Sequence, residues 1–320
     1  NQRLGIGMSN KHIDSHIDPM ENIEEAYAGI LSFMRFPYSR DLHGVDVAVV
    51  GVPYDLGTTN RPGSRFGPRA VREMSASVGE FKWGVWPWDY HLLDKRKMVD
   101  YGDVCNFTAY PERLVAELEK VAGNILDSDT ALLALGGDHF ISLPLLRAHV
   151  KKHGPLALVH FDAHSDTWVD DDFNHGTMFY HAIQEGLIDV ERSVQIGIRT
   201  PNPDDFGMET LDAIQIHNMT NAEVAERIKA RVGAAKAYLT FDIDFLDPAY
   251  APGTGTPVSG GATIMQAREI LHGLKGMHIV GGDQVEVAPA YDPLGSITAL
   301  AGATIAADIL YLISESLDNN

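Results

Sequence analysis

The chain alternates two kinds of hydrophobic pattern. Short runs that are apolar or β-branched at nearly every position fall at 45–50, 98–101, 131–135, 156–161, 193–198, 213–217, 237–241 and around 279–280. Runs apolar on both sides of the pleat are the mark of strands covered on both faces of a parallel sheet. Between them lie stretches whose apolar residues recur at three- and four-residue spacings, at 69–77, 111–126, 143–152, 177–185, 221–232, 264–274 and 297–314, which predicts helices. Pro68 stands where the first helical turn tolerates proline. Strand and helix taking turns this often predicts a three-layer α/β/α architecture with a largely parallel sheet of about eight strands. No repeat and no Pro/Gly/Ser-rich linker divides the sequence, so residues 21–320 read as one domain after a polar arm at 1–20.

Composition narrows the class. With 320 residues, 45% of them hydrophobic, the chain can bury a large core. Its formal net charge is −19, which repels phosphate backbones and anionic lipid and favours cationic partners, so neither nucleic acid nor a membrane surface is expected. No run approaches the roughly 18 consecutive apolar residues of a membrane span. The first residues lack the basic and then apolar order of a secretory signal. The single cysteine, Cys105, excludes an intramolecular disulfide framework, and a cytoplasmic protein is expected.

Three segments carry the candidate chemistry: Gly136-Gly137-Asp138-His139, Phe161-Asp162-Ala163-His164-Ser165-Asp166 and Phe241-Asp242-Ile243-Asp244. Each follows an apolar strand, at the carboxyl end where open α/β sheets bind ligands. In extended chain, residues i and i+2 share a side, which pairs Asp162 with His164 and Asp242 with Asp244. Asp166 reaches the same place if the chain curls, and His139 approaches from a third strand. Four carboxylates so placed either take up protons or hold cations. Six ligands exceed one tetrahedral zinc site and suit two divalent ions about 3.5–4 Å apart. Oxygen-rich coordination without thiolate favours Mn²⁺, and a water between two such ions becomes a nucleophile near neutral pH.

These segments resemble the ureohydrolase family of dimanganese enzymes, the arginases and agmatinases, and the likeness runs through Asp247-Pro248 to Gly253-Thr254-Gly255-Thr256-Pro257. The resemblance is strongest to bacterial agmatinases. It implies an arginase-like fold and two Mn²⁺ per subunit. One ion would be held by His139, Asp162, Asp166 and Asp242, the other by Asp162, His164, Asp242 and Asp244, with Asp162 and Asp242 bridging. It further implies that His175, in Asn174-His175-Gly176-Thr177, moves protons, and that Glu286, in Val285-Glu286-Val287, receives the substrate guanidinium. Trimers or hexamers are the assemblies it implies.

The substrate tail is addressed by the acidic stretch Thr167-Trp168-Val169-Asp170-Asp171-Asp172, where Trp168 and Asp170 are candidate substrate contacts. Carboxylates there repel an acid tail and attract an ammonium, which predicts agmatine, cleaved to putrescine and urea, with guanidinobutyrate or a related guanidino acid as the alternative. A two-metal phosphoesterase would present Arg or Lys, and the metal segments offer none. A metal-stabilised scaffold without activity is the alternative from a non-enzyme class. Trp83, Trp86 and Trp88 read as a packing or subunit-contact patch, and His12 and His16 as solvent-exposed.

Overall fold

The computed structural model describes residues 27–80, 83–105, 110–204 and 206–319. The expectations for the arm at 1–20, with His12 and His16, lie outside the described residues. Eight strands form one sheet: β1 (Val47–Val52), β2 (Met98–Asp103), β3 (Ala131–Gly136), β4 (Ala157–Phe161), β5 (Val194–Ile198), β6 (Glu209–Asp212), β7 (Lys236–Asp242) and β8 (His278–Val285). Their spatial order is β2-β1-β3-β8-β7-β4-β5-β6, and every pairing is parallel.

Nine helices accompany them: α1 (Gly67–Val78), α2 (Leu92–Lys95), α3 (Pro111–Asp127), α4 (Ser142–His153), α5 (Met178–Gln184), α6 (Ala213–Asn218), α7 (Asn221–Val232), α8 (Ile264–Gly273) and α9 (Ile297–Ser316), counted among the described residues. The strands read as continuous apolar runs because each side of the sheet has its own core. In β3, Ala131, Leu133 and Leu135 face the layer that contains α1, α7, α8 and α9, while Leu132 and Ala134 face α3, α4 and α5. Each fully buried Leu or Phe contributes about 1.5–3 kcal/mol of transfer free energy.

Helix α9 is long and apolar enough to cross a bilayer, yet it is a core element. Its one buried carboxylate, Asp308, is paired with Arg268 at 2.8 Å and accepts the Trp88 indole N–H at 2.8 Å. Trp88 also stacks on Tyr311, so it is a packing residue, whereas Trp83 and Trp86 are exposed.

One expected element is corrected. The segment 213–217 is helix α6, not a strand, and the strand at this edge is β6 just before it. The reason is local. Asp212 accepts the backbone N–H of Gln215 while the Gln215 side chain accepts that of Asp212, a capping box that starts a helix. Ala213 and Ile216 are then buried three residues apart, while Ile214 is exposed. Apolar residues at 213, 214 and 216 fit either period, and the cap decides between them.

Candidate active site

Strands β3, β8, β7 and β4 are neighbours in the middle of the sheet, and the candidate residues leave their carboxyl ends. After β3 the backbone passes so close to the Val52–Tyr54 strand end that a Cβ at Gly137 would meet the Tyr54 carbonyl oxygen at 2.4 Å. Asp138 then caps a short turn by accepting Phe140 N–H at 3.1 Å, which presents His139 inward.

After β4 and β7 the chain does not stay extended. Asp162 Oδ1 accepts the backbone N–H of His164 at 2.6 Å, and Asp242 Oδ1 accepts that of Asp244 at 2.7 Å. Aspartate favours such turns because its short side chain reaches the amide two residues on. Each pair therefore converges through a turn, which corrects the extended alternation expected from spacing. Ala163 N–H to Asp244 Oδ1, at 3.1 Å, ties the two turns together. Asp166 adopts φ +51°, a left-handed conformation that curls the chain back towards Asp162.

The six expected ligands are brought together, in two groups. Nδ1 of His139 lies 3.0 Å from Asp162 Oδ2, 3.0 Å from Asp166 Oδ2 and 3.3 Å from Asp242 Oδ2. Nδ1 of His164 lies 3.1 Å from Asp244 Oδ2 and 3.4 Å from Asp162 Oδ1. Asp162 thus turns one oxygen to each group. Asp242 turns Oδ2 to the first group and gives Oδ1 to the Asp244 amide.

Electrostatics explain why a cation fits. Burial pushes the carboxyl of Asp242 well above its ordinary range, reinforced by Asp244 and Asp162. Asp166 and Asp244 are raised by burial and by the Asp162 charge. Asp162 goes the other way: burial opposes its ionisation, but His139 and His160 hold it well below. Burial alone would lower His164, yet Asp244 and Asp162 raise it to about 12. The cluster binds protons where it can, which is what uncompensated carboxylates do. Nδ1 of His139 is buried among three carboxylate oxygens without an aligned hydrogen bond to any of them. An imidazole nitrogen and several oxygens aimed at one point are the donor set of a divalent transition-metal site.

Above the cluster opens a cavity of about 270 Å³, lined among others by Thr59, Trp168, Asp170, His175 and Thr256 together with His164 and Asp166. None of its lining residues is a Lys or Arg. The loop that carries Trp168 and Asp170 is braced internally, with Trp168 N–H donating to Gly176 O at 3.1 Å and Thr177 Oγ1 to Asp172 O at 2.7 Å. His175 is pinned by its own N–H to the Gly57 carbonyl, 3.0 Å away.

Glu286 follows β8 at φ +66° and is almost fully buried. Two carboxylates of the candidate site in the left-handed region, Asp166 and Glu286, are backbone strain of the kind that concentrates at functional sites. Glu286 Oε1 accepts from His175 Nδ1 at 2.8 Å and from His139 N–H at 2.9 Å. Glu286 is not among the cavity's lining residues; it stands behind His175. Burial opposes protonation of His175, but the Glu286 carboxylate raises it to about 9. The backbone N–H of Thr59 points at Nε2 from 2.9 Å, so the hydrogen of the neutral ring sits on Nδ1.

Four contributors were not singled out from the sequence. His160 is hydrogen-bonded to Asp162, Thr59 to His175, and Thr240 and Asp283 lie behind His139. The signal for His160 was present, since it extends the Asp162–His164 alternation backwards by two. Thr59 and Asp283 come from distant segments and leave no spacing signal.

Comparisons with known proteins identify the family. The arginase family model matches residues 45–311. An agmatinase of Chromobacterium violaceum is 52% identical over 298 residues, covering 91% of each chain. The crystal structure of a hypothetical agmatinase from Burkholderia thailandensis superimposes with a TM-score of 0.89 at 51% identity, over 92% of this chain and 94% of the other. Proclavaminate amidino hydrolase from Streptomyces clavuligerus has a TM-score of 0.86 at 37% identity, over 92% of this chain and all of the other. The chain, whose motifs resemble the ureohydrolases and whose central strands carry them to one site, belongs to the arginase family.

Proposed function

We propose that this protein hydrolyses agmatine to putrescine and urea with two Mn²⁺ ions. The carrying observation is a cavity without a cationic side chain, rimmed by Asp170 and floored by a His/Asp cluster fit for two ions. Relatives named agmatinase at about half identity over most of the chain support it. His139, Asp162, Asp166 and Asp242 would hold one ion, and Asp162, His164, Asp242 and Asp244 the other. When bound, the pair supplies Lewis acidity that turns water into a nucleophile near neutral pH.

The chain's own groups do the rest. Asp166, at the cavity floor, orients the attacking water by accepting its hydrogen bond. Glu286 stands behind His175 with Oε1 engaged by His175 and His139, so Oε2, on the Gly255 side, is the oxygen that would receive a guanidinium N–H. His175 lines the cavity: its Nε2 takes up the proton that the attacking water loses, releasing the Thr59 N–H, and passes it to the departing amine, which restores that contact. Trp168 covers the alkyl chain, and Asp170 faces the terminal ammonium. A homo-oligomer, trimer or hexamer, completes the reading and is supported by the exposed Trp83 and Trp86.

A guanidino acid is the second reading, favoured by the likeness to a protein named for proclavaminate, a carboxylate. Urea release after Mn²⁺ loading, measured on agmatine, arginine and 4-guanidinobutyrate, separates the readings. Agmatine is expected to be turned over fastest. Equal or faster turnover of a carboxylate-tailed compound rejects the agmatine assignment, and no urea from any of them leaves only a metal-stabilised scaffold.

A further inference from the structure

His160 and Gln195 are register partners on the adjacent parallel strands β4 and β5, so their side chains meet on one face of the sheet. Both are buried, and the His160 ring is wedged edge-on between Phe179 and His139. Nε2 of His160 lies 2.8 Å from Asp162 Oδ2, the oxygen that also faces His139. Nδ1 of His160 lies 3.1 Å from the Gln195 amide nitrogen. That amide nitrogen is also 2.6 Å from the Ser165 carbonyl oxygen.

The hydrogen positions follow from what each group can do. A carbonyl oxygen only accepts, so Ser165 fixes which end of the Gln195 amide faces inward. The amide NH₂ has two hydrogens, one for Ser165 and one for the imidazole. Nδ1 of His160 must therefore accept, which leaves the ring hydrogen on Nε2, pointing at Asp162.

We propose that Gln195 is a positioning residue which, by fixing the His160 tautomer, locks the orientation of the carboxylate that both groups of metal-ligating atoms share. Asp162 is then held at each oxygen, Oδ1 by the His164 amide at 2.6 Å and Oδ2 by His160 at 2.8 Å. It cannot rotate about its Cβ–Cγ bond without breaking both contacts. One lone pair of Oδ2 is occupied by the N–H, and the other is left directed at the His139 group. The opposite tautomer would set a nitrogen lone pair against the carboxylate and turn it away. This inference rests on the reading of Asp162 as a shared metal ligand.

The test has two readouts. In chelator-treated, ¹⁵N-histidine-labelled protein, the ring nitrogen shifts of His160, assigned by their loss in His160→Phe or His160→Asn, should report hydrogen on Nε2. In Gln195→Leu they should shift towards a mixture of tautomers. Equilibrium dialysis against Mn²⁺ should show Gln195→Leu and His160→Phe binding one of two ions about tenfold more weakly, as expected when a partner of a metal ligand is removed. A wild-type His160 with hydrogen on Nδ1, or both variants keeping two ions at unchanged affinity, overturns the proposal. A wild-type protein that takes up no Mn²⁺ at all instead sinks the metal reading on which it rests, a result distinguishable from a wrong tautomer.

Discussion

Nδ1 of His175 donates to Oε1 of Glu286 across 2.8 Å, and the same oxygen accepts the backbone N–H of His139. One buried carboxylate thereby links the wall of the cavity to the first residue of the His/Asp cluster. The link has a pH signature. Burial disfavours the charged ring, but Glu286 raises His175 from 6.5 to about 9. A raised histidine stabilises the fold fully below its unfolded value near 6.5 and loses that contribution as pH climbs through about 9. The interval corresponds to about 3 kcal/mol at most. Denaturant unfolding of metal-free protein at pH 6 and pH 9.5 should show wild type losing more stability than Glu286→Gln. An equal loss in the variant would place the dependence elsewhere.

Substituting Asp244 separates metal from fold. Its Oδ2 faces His164, its Oδ1 ties the β4 and β7 turns, and burial beside Asp162 raises its carboxyl. Asp244→Asn keeps an acceptor for Ala163 but loses the charge. It should bind one ion fewer per subunit, and urea release should fall by more than about 100-fold. The metal-free variant should lose less stability than wild type between pH 5 and pH 8, because one raised buried carboxyl and part of the support for charged His164 are gone. Undiminished urea release would reject Asp244 as a ligand.

The sheet was legible because parallel strands leave a one-symbol signature: Val47–Val52 and Ala131–Gly136 have no polar position. The edge strand Glu209–Asp212 left none, being short and half-exposed, and its neighbour's Ala213, Ile214 and Ile216 took its place in the reading. The clustering of the candidate ligands was legible because Asp162-Ala163-His164 and Asp242-Ile243-Asp244 are local. Their geometry was not, since turns closed by Asp162 and Asp242 replace extended chain. Glu286 behind His175, rather than at the cavity surface, was illegible for another reason. That placement depends on strand order, which puts β8 between β3 and β7 and sends Glu286 beneath the His139 turn.

Metal removal should invert the ordinary pH response of an acidic protein. Asp242, Asp166 and Asp244 are raised by burial and neighbouring carboxylates, so they favour the folded state while protonated. That contribution declines as pH rises above their unfolded value of 3.8. His164, raised to about 12, adds stability that is present below 6.5 and lost towards alkaline pH. Asp162, held well below 3.8, acts oppositely and only at strongly acidic pH. Chelated protein should therefore melt at higher temperature at pH 5 than at pH 8. Adding Mn²⁺ at pH 8 should raise the melting temperature and release protons. A chelated protein equally stable at both values would show that the cluster is not the source.

Asp170 offers the sharpest view of the substrate tail. It is exposed at the cavity rim, and the braced loop from Trp168 to Thr177 fixes its position without making it structural. An exposed carboxylate facing an ammonium is worth about 0.2–1 kcal/mol, so Asp170→Asn should raise KM for agmatine by about 1.4- to fivefold. The chemical groups are untouched, so kcat should stay near wild type. The effect should shrink as ionic strength rises, because an exposed pair is screened over about 10 Å at 0.1 M salt. Asp170→Lys should go further, weakening agmatine and improving 4-guanidinobutyrate relative to it. Unchanged KM in both variants would remove Asp170 from the substrate path and leave the acidic turn a solvated loop.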